Sequence, residues 1–124
     1  MATETKLVFK LNFNFVLKDA EGFPIESIKA GLKAGTYVTN DMYEEVQANR
    51  LLGRTISLSN DDLGGTAFDW YPVLLQGKTL EVSKAEAGVL KNFILEQRKS
   101  KNQNFSNVVV AQLLSVFEKA GYKE

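Results

Sequence analysis

From Lys6 to Lys18 the chain reads KLVFKLNFNFVLK, and its apolar and polar residues alternate almost without a break. Leu7, Phe9, Leu11, Phe13, Phe15 and Leu17 share one parity, and Lys6, Lys10, Asn12, Asn14 and Lys18 share the other. A period of two puts each set on its own side of an extended chain, so the segment predicts a long strand with one buried face. Its phenylalanines are better used in a core than as a stacking platform. A platform for single-stranded nucleic acid needs rings and cations on the same side, and the pleat separates them here.

DAEG, Asp19 to Gly22, has the Asp-first, Gly-last arrangement of a type I turn, and FPIESI would return beside the first strand to make a hairpin. Pro24 lacks an amide hydrogen and belongs at the start or edge of the returning strand. AGLKAGTYVTND is an irregular connection with room for a short strand at Thr36 to Val38. Thr39 or Asn40 can cap a helix over Asp41 to Leu52, with Gly53 as its stop. RTISL reads as a short strand and SNDDLGG as a loop. TAFDWYPVLL reads as a helix starting near Asp69, because Pro72 is tolerated in a first turn.

Ser83 to Glu86, SKAE, has the spacing of a capping box. Val89, Leu90, Phe93, Ile94 and Gln97 follow at helical steps, predicting an amphipathic helix to about Lys99. After the polar KSKNQN, a last helix follows Ser106, with Val109, Leu113, Val116, Phe117 and Ala120 on one side and Gly121 as its stop. These elements predict a single α+β domain over 1–124, an N-terminal hairpin or small antiparallel sheet covered on one face by three to four helices.

Composition narrows the chemistry. The 124 residues contain neither Cys nor His, which removes thiolate nucleophiles, disulfides, iron–sulfur ligation and the commonest general base. Lys plus Arg and Asp plus Glu each number 15, so no overall field draws the chain to nucleic acid or anionic lipid. No window has the apolar length of a membrane span, and no signal-peptide run opens the chain, which points to a cytoplasmic protein. Phosphate-loop and dinucleotide glycine patterns are missing, so no cofactor is indicated.

Four features compete as sites. Phe68, Trp70 and Tyr71 beside Pro72 are the best candidate for a protein-binding surface, against the alternative that they fill the core. Lys84, Lys91 and Arg98, seven residues apart, form a helical stripe continued by Lys99 and Lys101. Such a stripe can follow phosphates, and the simpler reading is a solvated face diluted by Glu86 and Glu96. Ser59, Asn60, Asp61 and Asp62 offer oxygen ligands, but not at calcium-loop spacing, and a turn is the better reading. The neighbouring pairs Glu44–Glu45 and Asp61–Asp62 point in different directions along the chain, so no acid–base couple is indicated and an enzyme is not expected. A carboxylate enzyme with a bound metal would need an acidic pocket. If the first strand lies at a sheet edge, its backbone can pair with another copy.

VLKDAEGFPI, QGKTLEVSKAEAGVLKNFI and the closing VVVAQLLSVFEKAG together resemble a layout found in small accessory and assembly proteins of tailed bacteriophages. The resemblance implies a phage-encoded protein, a virion component or a host-directed factor in the bacterial cytoplasm, with no catalytic residues to carry over. The expectation is a non-enzymatic protein that binds a protein partner or copies of itself, with weak nucleic-acid binding as the alternative.

Overall fold

The computed structural model describes residues 8–28, 37, 39, 42–59, 63–99 and 105–122. Their order is β1 (Val8–Leu11), β2 (Glu26–Ile28), β3 (Tyr43–Glu45), α1 (Ala48–Leu58), α2 (Ala67–Leu75), β4 (Leu80–Ser83), α3 (Lys84–Lys99) and α4 (Asn107–Lys119). Two small antiparallel sheets, β1–β4 and β2–β3, accompany the helices in an α+β fold.

The alternation of the first segment governs burial further than it governs strand geometry. Phe9, Leu11, Phe13 and Leu17 are buried, while Lys10, Asn12, Asn14 and Lys18 are exposed. The strand itself ends at Leu11. Two asparagines break it. The Asn14 amide donates to the Asn12 side-chain oxygen (2.9 Å), and Phe15 N–H closes a tight turn onto the Phe13 carbonyl (3.0 Å). Such local bonding by Asn competes with a sheet ladder. The expected long strand is therefore a short strand, a kink and then an extended stretch whose buried parity survives.

That stretch forms a narrow hairpin. Gly22 N–H donates to the Asp19 carbonyl (3.1 Å), while the Asp19 carboxylate accepts from the amides of Glu21 (2.9 Å) and Phe23 (3.0 Å). Gly22 has φ +90°, the conformation glycine adopts at least cost. The DAEG turn thus forms as the residues require, but its returning limb pairs only around Pro24 and Ile25 before β2 leaves to pair with β3. Gln112 of α4 fastens the hairpin from the side. Its side-chain oxygen accepts from Lys18 N–H (2.8 Å), and its Nε2 donates to the Lys18 carbonyl (2.7 Å), as a neighbouring strand would do.

The true partner of β1 is β4, with Phe9 opposite Val82 and Leu11 opposite Leu80. All four side chains are buried, and Lys10 faces Glu81 on the exposed side. β4 is not among the strands expected from the sequence, because Leu80 and Val82 make too short an alternation to register beside the capping box. That box is present: Glu86 N–H donates to Ser83 Oγ (3.2 Å) and Ser83 N–H donates to Glu86 Oε1 (2.8 Å). It starts α3 directly at the end of β4. Ala87, Leu90, Phe93 and Ile94 are buried on α3, whereas Val89 lies on its exposed side.

The middle of the chain departs from expectation. Tyr43 to Glu45 is strand, and α1 starts at Ala48 and runs through RTISL to Leu58, so the helix expected up to Leu52 forms only from Ala48 on and RTISL is helix, not strand. Gly53 does not stop a helix; it lies inside one. A Cβ built there would stand 3.1 Å from Leu75 Cγ and 3.2 Å from Leu74 Cβ. Its glycine identity answers the close crossing of α1 and α2, a tertiary demand that local pattern does not reveal. The Thr36–Val38 strand expectation falls largely outside the described residues, as do Asn60, Asp61 and Asp62 of SNDDLGG, which ends in a 3-10 turn at Leu63–Gly65.

α2 begins two residues before Asp69, so Pro72 sits past its first turn. Its far end closes in a Schellman arrangement: Gly77 N–H donates to the Leu74 carbonyl and Lys78 N–H to the Val73 carbonyl, with Gly77 at φ +74°. Two asparagines hold that end. Asn49 Nδ2 donates to the Leu74 carbonyl (2.8 Å), and Asn14 Nδ2 donates to the Gly77 carbonyl (2.6 Å). α4 starts at Ser106, whose Oγ accepts from Val109 N–H (3.4 Å). It ends in the same way as α2, with Gly121 N–H on the Glu118 carbonyl and Tyr122 N–H on the Phe117 carbonyl. The turn drops Tyr122 onto Phe117 (5.8 Å between centroids) and Phe9 (5.5 Å). Gly88 of α3 makes room for its hydroxyl.

Two substitutions test these joints. Gly53→Val should lower the unfolding free energy by about 1–3 kcal/mol in urea titration, because the added atoms must displace the Leu74 and Leu75 side chains. Gln112→Ala should cost about 1 kcal/mol, the worth of a net hydrogen-bond loss at groups that water can reach.

Candidate functional site

The aromatic cluster divides between inside and outside. Trp70 is buried in the core, Tyr71 is half-buried, and Phe68 is 74% exposed with its ring 6.5 Å from that of Tyr71. Trp70 therefore anchors α2 to the protein and is not presented to a partner. Phe68 faces outward, and Tyr71 packs in part against the core.

The reason lies in the helix. α2, AFDWYPVLL, has one charged residue, Asp69, and is otherwise apolar around its whole circumference. A helix of that composition is expected to be covered on all sides. Here Ala67, Trp70 and Leu74 enter the core, Tyr71 and Val73 pack against it in part, and Phe68 and Leu75 stay exposed although Leu75 also lies beside Gly53 of α1. At 3.6 residues per turn, Phe68, Tyr71, Pro72 and Leu75 line up as one stripe along the flank of that core face. Phe68 and Leu75 are exposed at its two ends, and Tyr71 and Pro72 are half-buried between them. Sequence reading found Phe68 and Tyr71 but missed Pro72 and Leu75. An i, i+3, i+4, i+7 spacing on an all-apolar helix was the available signal, but it cannot say which side the core takes.

The basic stripe is present on one side of α3, in a reduced form. Lys84 and Arg98 are exposed, and Lys91 is half-buried with its Nζ 5.8 Å from the Tyr122 ring centroid. That placement gives Lys91 a cation–π contact inside the protein. Lys101 lies outside the described residues. Arg98 also borders a depression with Phe105, Ser106 and Asn107 at the start of α4.

A second depression of about 250 Å³ lies between β3 and α1. Glu44 and Glu45 line it together with Arg50 and Arg54, so charges of both signs meet there and no single-sign binding field results. Among the described residues no group of three acidic side chains gathers as a metal site would require, and no helix is long and apolar enough to cross a membrane. Asn49 is the buried polar side chain of the described core; its Oδ1 has no hydrogen-bond partner. Comparison with protein-family models, curated proteins and solved structures finds no match for this chain.

The division of the cluster has a direct consequence for stability. Trp70→Ala should cost about 3–5 kcal/mol in chemical unfolding as a buried large-to-small change. Phe68→Ser should stay within about 0.5 kcal/mol of the parent protein, as surface substitutions do.

Proposed function

We propose that this protein is a non-enzymatic binding protein that acts by contacting another protein surface, through the apolar stripe Phe68, Tyr71, Pro72 and Leu75 of α2. The observation that carries the reading is an almost wholly apolar helix that leaves the Phe68 ring 74% exposed next to half-buried Tyr71 and Pro72. Exposed aromatic side chains set beside further apolar surface are characteristic of interface anchors, and ordering them in advance on a helix reduces the entropy lost on binding. A partner would meet a narrow apolar ridge with Asp69 to one side. The resemblance to tailed-phage accessory and assembly proteins fits this reading, with the partner being a virion component, a host factor or the chain itself.

Nucleic acid is less well served. A phosphate-tracking surface gains affinity with each cation free to pair, and Lys91 is engaged with Tyr122.

The test compares immobilised wild-type protein with Phe68→Asp. Each is exposed to a bacterial lysate, to the same chain in solution and to a single-stranded oligonucleotide at low salt. The wild type should retain protein in stoichiometric amount, the variant should lose it at an unchanged melting temperature, and oligonucleotide should not be held. Retention of oligonucleotide that disappears in Lys84→Ala/Arg98→Ala, with no protein retained, would contradict the reading.

A further inference from the structure

We draw no further inference here: the strongest candidate, the exposed surface patch that Phe68 forms beside half-buried Tyr71 and Pro72 at the start of α2, belongs to the binding reading already given, and nothing in the structure shows what covers it.

Discussion

Burial of one side of the opening segment is the constraint on which the rest of the molecule is arranged. Phe9, Leu11, Phe13 and Leu17 are the inward residues of a chain that is strand, then kink, then hairpin, and they stay inward throughout. Three of them reach β4 and the end of α4. Leu11 pairs across to Leu80, Phe9 packs on Tyr122, and Phe13 lies 6.3 Å from Phe117 in an edge-on contact. The kink at Asn12–Asn14 redirects the backbone and leaves the parity of burial untouched. The asparagine that turns the chain also donates to Gly77, so the bend of the first segment and the end of α2 are one joint.

Helix ends are the second organising feature. α2 and α4 both stop at a glycine with positive φ, and both stops aim the following residue. After Gly77 the chain is set to enter β4 and reach β1. After Gly121 it drops Tyr122 between Phe9, Phe117 and the Lys91 ammonium. With α2 held at its end by Asn14 and Asn49, at its crossing by Gly53 and in the core by Trp70, Phe68 is left 74% exposed at its start. The exposed stripe is thus a by-product of how firmly α2 is fixed, and that rigidity suits an interface.

What the sequence makes legible is local. The DAEG turn, the Ser83–Glu86 capping box, the Ser106 cap and the Gly121 stop all depend on residues within a few positions of each other, and all form as expected. What it hides is relational. Gly53 looks like a stop, and only the nearness of Leu74 and Leu75 explains it as a crossing point, which also displaces α1 by several residues. β4 is too short to show a period, and its identity depends on β1 needing an antiparallel partner. The candidate surface follows the same rule. That Phe68, Trp70 and Tyr71 matter is visible in the string, whereas the turning of Trp70 inward and Phe68 outward is decided by which side of α2 the core claims.

The aromatic residues divide by place: those of the opening segment are held in the core, and Phe68 lies exposed on α2. The most direct measurement is the unfolding free energy of Phe13→Ala relative to the parent protein, from urea titration with matched slopes. Phe13 is completely buried, and removal of its ring should cost about 3–5 kcal/mol. A loss below about 0.5 kcal/mol, the range of surface substitutions, would mean that the inward side of the opening segment is not the core and would contradict the account at its base.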